Sequence, residues 1–242
     1  LMEKNKTGKY FKYAIGEIVL VVIGILIALS INNWNTTRIQ QQESFELSYR
    51  LYKENEGNVA VLKTLITRYD SVMYANLKLL QLMGEDYTSK DAQVLDSLMA
   101  IGMTADAFYD NSSVLTEAIS SGKLAFLKSN TLKDKLYAIP PLLNRVQSQE
   151  KGIKEEMDNY LSPIIRKSYS LRQMDFKFSS FKNELGASVF KNNDGRQILN
   201  NFEFENALDE LYYRRNGLKK RYNELLVKYK KTSDLLEKEI AK

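Results

Sequence analysis

The sequence predicts an all-α protein in which one N-terminal transmembrane helix continues into an elongated antiparallel, coiled-coil-like helical bundle. Three observations predict it. Helix breakers are scarce, with 11 Gly and 3 Pro in 242 residues. One uninterrupted apolar run occupies Ala14–Ile31. Elsewhere apolar residues recur at steps of three and four, the period of a helix with one buried face. The chain therefore divides into a short basic segment at 1–13, a span at 14–31 and a helical bundle domain at 32–242.

The span reads AIGEIVLVVIGILIALSI, with Glu17 as its one charge. At about 1.5 Å per residue it covers about 27 Å, close to the hydrocarbon thickness of a bilayer. Tyr10, Phe11 and Tyr13 lie before it and Trp34 after it, where amphipathic rings favour the interface. Lys9, Tyr10, Lys12, Tyr13 and Trp34 are the predicted interfacial anchors. A cleaved signal peptide does not fit, because the run is too long and INNWNTT offers no small-x-small site. Lys4, Lys6, Lys9 and Lys12 precede the span, and only Arg38 follows closely. The excess of cations on one side predicts a cytoplasmic N-terminus and an outer C-terminal domain.

Glu17 is the unusual residue of the span. On a helix Gly24 and Ala28 fall within about 20° of the direction of Glu17, one to each side. Small residues let a second helix approach, and a carboxyl group inside a membrane wants a partner. This predicts an assembly face. The competing reading has Glu17 reach the headgroups, about one turn away, and pair with Lys12 or lipid.

Tyr13–Asn35, YAIGEIVLVVIGILIALSINNWN, resembles the signature of an uncharacterised family of single-span membrane proteins of Bacteroidota. A weaker likeness runs from Val114 through Ser121-Gly122 to Leu136. The resemblance implies a basic N-terminus, one span and a long helical C-terminal region in a bacterial envelope protein. It supplies no catalytic residue.

Beyond the span, Phe45, Tyr49, Tyr52 and Val59, then Leu62, Ile66, Tyr69, Met73, Leu77, Leu80 and Met83, step at helical spacing. They predict one helix over about 36–84, in line with the span or bent at Gly57, and stopped by Gly84. Thr88 or Ser89 then starts a helix near Asp91, with Val94, Leu95, Leu98 and Ile101 inward. A short helix at about 112–120 ends at Gly122. Ser129 caps a helix from about Thr131, which Pro140 and Pro141 kink or break. It resumes through Ile153, Met157 and Leu161 to Pro163. Residues 169–193 show no clear period and read mostly as loop. The last helix is the clearest. Leu208, Leu211, Arg215, Leu218, Tyr222, Leu225, Tyr229, Thr232 and Leu236 form a heptad seam with two polar interruptions. It is about 57 Å long, and its expected partner is the 36–84 helix of the same chain, with pairing between chains as the alternative.

Composition narrows the chemistry. The chain has no Cys and no His, which removes thiolate nucleophiles, the usual base near neutral pH and the commonest transition-metal ligands. No catalytic, cofactor-binding or metal residue is predicted, nor an enzyme. The net charge of +5 is spread among acidic residues and predicts no nucleic-acid partner. Ser120-Ser121-Gly122-Lys123 matches S-x-x-K, but its companion S-D-N and K-T-G elements are absent, so Gly122 reads as a helix stop. Asn192-Asn193-Asp194-Gly195 is part of a calcium-loop pattern without its remaining carboxylates, and reads as a turn. Glu203, Glu205, Asp209 and Glu210 suit the positive end of the last helix. Glu155, Glu156 and Asp158 read as a solvated face. Arg214, Arg215, Lys219, Lys220 and Arg221 with Tyr212, Tyr213 and Tyr222 form the densest basic and aromatic patch, which reads as a charged helix flank rather than an anion site.

The function expected is that of a membrane-anchored envelope accessory or scaffold protein. It would act through helix–helix contacts with itself or with a membrane-protein partner. The place expected is the bacterial inner membrane, single-pass, with the bundle in the periplasm. The alternative is an extracytoplasmic ligand-sensing bundle. Segment 1–13 provides no output domain, so a sensor would need a separate signalling partner.

Overall fold

The computed structural model describes residues 6–180, 182–190 and 193–241. Among them there is no strand, and the chain is all-α. Helix α1 runs unbroken from Lys6 to Leu82, 77 residues, or about 115 Å. Gly57 does not interrupt it. The apolar stretch near its N-terminus is long and apolar enough to cross a membrane, and none of it is buried. From Tyr10 to Glu43 every residue is exposed. The first buried position is Ser44, and from there one side of α1 enters a core.

That core is built chiefly with α9, Phe202–Ile240. Tyr52 Oη donates to Glu237 (2.7 Å) and Asn55 Nδ2 to the Tyr229 carbonyl (2.8 Å). Lys219 Nζ meets Asp70 (2.5 Å) and Arg215 Nη1 donates to Asn76 (2.5 Å). Partner numbers fall along α9 as they rise along α1, so the two helices are antiparallel. All nine residues of the predicted seam, Leu208 to Leu236, are buried. The intramolecular partner is the one found. Thr232, one polar interruption, donates its hydroxyl to the Lys228 carbonyl (2.9 Å). Asn201 caps α9 by accepting from Phe204 N (2.9 Å).

The face that α1 presents differs from the predicted one. Phe45 is 55% and Tyr49 48% exposed, whereas Ser44, Leu47, Ser48, Leu51, Asn55 and Asn58 are buried. Asn55 and Asn58 find partners across the interface, which an apolar count cannot see. Asn55 Nδ2 also donates to Ser233 Oγ (2.6 Å). Asn58 exchanges two hydrogen bonds with the backbone of Asn111 (2.7 and 2.8 Å). From Val59 onward the two readings meet again at Val59, Leu62, Tyr69 and Met73, while Leu77 turns outward.

The shorter elements close the bundle. Gly84, with φ +147°, ends the turn after α1 and donates its N–H to the Leu199 carbonyl (3.0 Å). Helix α2, Ala92–Gly102, is capped by Asp91, whose carboxylate accepts from Gln93 N (2.7 Å) and Val94 N (3.3 Å). Thr88 and Ser89 belong instead to a 3₁₀ turn. The inward face of α2 is Leu95, Asp96 and Met99. Val94 and Ile101, predicted inward, are 48% and 41% exposed. Asp91→Ala is expected to lower stability by about 1 kcal/mol, read as a lower denaturation midpoint at unchanged slope.

Helix α3, Ser113–Ser120, stops before Gly122, which adopts φ +71°. Helix α4, Asn130–Tyr137, is capped by Ser129. The chain breaks at Ala138, and Pro140 and Pro141 then occupy the first turn of α5, Ile139–Glu156, where a missing N–H loses nothing. Pro163 does not end the helix as predicted. A π turn at Met157–Leu161 widens the backbone just before the residue that has no N–H to give, and α6 continues through Ser162–Ser168. The predicted loop at 169–193 contains α7, Leu171–Phe178, capped by Ser170, and α8, Lys182–Leu185.

Candidate functional site

Two groups of residues are candidates for function: the bare part of α1 and the polar layer inside the bundle. Glu17, Gly24 and Ala28 lie on one exposed face of α1, and a Cβ on Gly24 would meet nothing within 4 Å. Among the described residues nothing covers this face. Among the described residues no ion pair joins Glu17 to Lys12. Tyr10, Lys12 and Tyr13 flank one end of the apolar stretch and Trp34 the other, all exposed. Lys9 lies in α1, but its side chain, like those of Lys4 and Lys6, falls outside the described residues. Past Trp34 the Arg38 guanidinium stacks 5.7 Å from the indole centroid, a cation–π contact suited to a headgroup region. Residues 32–43 form a neck of single helix between apolar stretch and bundle.

The polar layer centres on Arg215, the other interruption of the α9 seam, 1% exposed. Its Nη1 donates to Asn76 Oδ1 (2.5 Å) and to the Gly102 carbonyl (2.7 Å). Its Nη2 donates to the Thr104 carbonyl (2.8 Å) and approaches Met157 Sδ (3.2 Å). Asn76 Nδ2 donates to the same Gly102 carbonyl (3.0 Å). Among the described residues no carboxylate pairs with this cation. Its counter-charge is the C-terminal end of α2, where unpaired carbonyls and the negative end of the helix dipole coincide. Burial lowers the Arg215 pKa to about 10, so it stays charged at neutral pH. Gly102 permits the approach, since a Cβ there would come 2.7 Å from Asn76 Nδ2. Next along the seam, the rings of Tyr69 and Tyr222 meet edge to face at 5.5 Å.

Four buried or half-buried carboxylates tie neighbouring elements together. Glu54 accepts from Val114 N (2.6 Å) and Leu115 N (3.0 Å), tying the start of α3 to α1. Glu150 accepts from Phe108 N (2.8 Å) and from Tyr222 Oη (2.6 Å). Glu239 accepts from the N–H of Lys128, beside the start of α4. Asp96 accepts from Tyr169 Oη and pairs with Lys177, fastening α7 to α2. Burial, then the hydrogen bond to a carboxylate, raises the Tyr169 and Tyr222 pKa well above the ordinary phenol value.

The sequence motifs resolve locally. Ser120 and Ser121 donate to the Glu117 carbonyl, and Lys123 lies 3.7 Å from the Glu117 carboxylate, which Arg50 also holds (2.9 Å) and keeps below its usual pKa. Asp194 caps the 3₁₀ turn Gly195–Asn200 and pairs with Arg196 (2.9 Å). Asn192 lies outside the described residues. Glu155 pairs with Lys151 (3.7 Å), Asp158 with Lys154 (2.7 Å) and Glu156 with Arg214 (3.5 Å). The basic and aromatic patch is not one surface, because Arg215 and Tyr222 point into the core. Among the described residues no group of three or more Asp or Glu could hold a metal ion. The sequence presents Arg215 only as a seam interruption and as part of the basic patch, since the partners of the node come from other elements.

One family model, described as a family of unknown function (DUF6090), matches residues 17–150. The match begins at Glu17 in the apolar stretch and extends into α5. No curated protein and no solved structure matches the chain.

Proposed function

The chain belongs to the DUF6090 family of unknown function, and from that premise we propose that it is a single-pass envelope scaffold. The apolar stretch of α1 anchors it in a bacterial inner membrane. The Glu17–Gly24–Ala28 face joins it to a second copy or to another membrane protein, and the bundle stands in the periplasm. Lys12 and the lysines before it hold the N-terminus in the cytoplasm.

One observation carries this reading. Helix α1 passes without a break from an apolar stretch that no described residue buries into the centre of the bundle core. A contact that fixes the span therefore fixes the bundle, because a continuous helix transmits position and rotation. The four carboxylates named above support a structural role, each being engaged with backbone or with a side chain.

The test is the native mass of the full chain extracted in mild detergent. A multimer, or a stoichiometric complex with another membrane protein, is expected. A monomer that retains no partner would overturn the proposal. Orientation is checked separately by an impermeant maleimide on intact cells. The chain has no cysteine, so Lys230→Cys should label and Thr7→Cys should not.

A further inference from the structure

Phe45 and Tyr49 are aromatic and exposed, yet lie well past the apolar stretch. At about 1.5 Å per residue they stand about 16 and 22 Å along α1 beyond Trp34, outside a headgroup layer about 6 Å deep. The chain's own elements leave them bare. The side of α1 that enters the core holds Ser44, Leu47, Ser48 and Leu51, and α3 with its flank meets Arg50 and Glu54. Phe45 and Tyr49 occupy the remaining side. They belong to a heptad row that continues into the bundle as Tyr52, Glu56 and Val59. There the row is covered. Tyr52 Oη donates to Glu237, Ser233 Oγ donates to Glu56, and Val59 is buried. Counted the other way, the same row passes through Gln42, Arg38, Asn35 and Ile31 to Ala28, Gly24 and Glu17. Among the described residues nothing covers that part. A heptad row drifts by about 20° per repeat on a straight helix, about 80° from Glu17 to Phe45, and two helices realign it by winding left-handed about each other.

We propose that a second copy of this chain closes the bare part of the row, as a parallel two-stranded coiled coil running from the apolar stretch through the neck to Tyr49. Copies inserted by the same rule lie parallel and level in a membrane, so each position of the row faces its own counterpart. Asn35 falls at an inner position of the repeat, where a polar side chain fixes register. Arg38, also at an inner position, is drawn aside onto the Trp34 ring of its own helix. The four rings of two copies, each about half exposed, would hide about 300–500 Å² between them. A stable interface in water needs about 1,200 Å². The neck therefore closes only where the spans already hold the copies together. This inference rests on the assembly face proposed above, and adds to it the partner and the register.

The experiment is oxidative disulfide formation in native membranes with single cysteines in the neck of the full chain, which has none of its own. Asn35→Cys and Gln42→Cys are expected to give an adduct of twice the chain mass. Gln40→Cys, on the outer side of the helix, is expected to give at least fivefold less. Adding Phe45→Glu and Tyr49→Glu to Gln42→Cys should cut the adduct at least fivefold. Both rings are exposed in the single chain, so circular dichroism should show the bundle still folded. Absence of the self-adduct at Asn35 and Gln42, equal yield at Gln40, or full yield with both glutamates present would each overturn the proposal. If Gly24→Cys then still traps one other membrane protein, the assembly face stands and only the second copy fails.

Discussion

Two arginines at the middle of the apolar stretch, Val22→Arg with Ile23→Arg, are expected to move the chain from the membrane pellet to the soluble or aggregated fraction. The Ile, Leu and Val residues between Ala14 and Ile31 favour insertion by about 0.3–0.6 kcal/mol each, together about 4–7 kcal/mol. Each central arginine opposes it by about 2.5–3.5 kcal/mol, and two also remove two favourable residues. The sum crosses zero. One arginine near the end, at Ile31, should leave the chain in the membrane, because its side chain reaches the interface. Alkaline carbonate extraction reads both outcomes. If the double variant stays in the membrane, α1 does not hold the chain there by its apolar stretch.

Arg215→Leu is expected to destabilise the bundle by about 3–5 kcal/mol. The substitution leaves the Asn76 amide and the Gly102 carbonyl buried with fewer partners, and each unmet polar group costs about 1–3 kcal/mol. At about 2–4 °C per kcal/mol for a chain of this size, the Tm should fall by roughly 6–20 °C. Arg215→Lys should recover part of the loss. It keeps the charge at the end of α2 but cannot reach Asn76, Gly102 and Thr104 together in the geometry of a guanidinium. A Leu variant as stable as the parent would show that the cation adds nothing beyond what apolar packing supplies.

What was legible in the sequence followed the strength of local pattern. The α9 seam was read correctly at every position from Leu208 to Leu236, because one amphipathic helix keeps a single face toward the core along its length. The same procedure failed at the start of the bundle segment of α1. There Phe45 and Tyr49 are apolar but exposed, and Ser48, Asn55 and Asn58 are polar but buried. Asn55 and Asn58 are buried because Tyr229, Ser233 and Asn111 supply their hydrogen bonds, and those partners are distant in the chain. Asp91, Ser129 and Gly122 acted through near neighbours, so their roles were visible or missed by only a few residues. Pro163 was misread because a π turn upstream absorbed its effect. In α7 the cap, Ser170, was present, but the helix is short and holds no fully buried residue, so no period marked it. The polar node at Arg215 was the least legible feature, since only folding brings Asn76, Gly102, Thr104 and Met157 to one place.

The scaffold proposal is tested most directly by cysteine-directed crosslinking in native membranes. The parent chain contains no cysteine, so single substitutions report alone. Gly24→Cys and Ala28→Cys are expected to give a discrete adduct, with a second copy or with one other membrane protein. Leu26→Cys, on the opposite side of the helix, is expected to give little. Adducts of equal yield at all three positions, or none at any of them, would contradict an assembly face on this span.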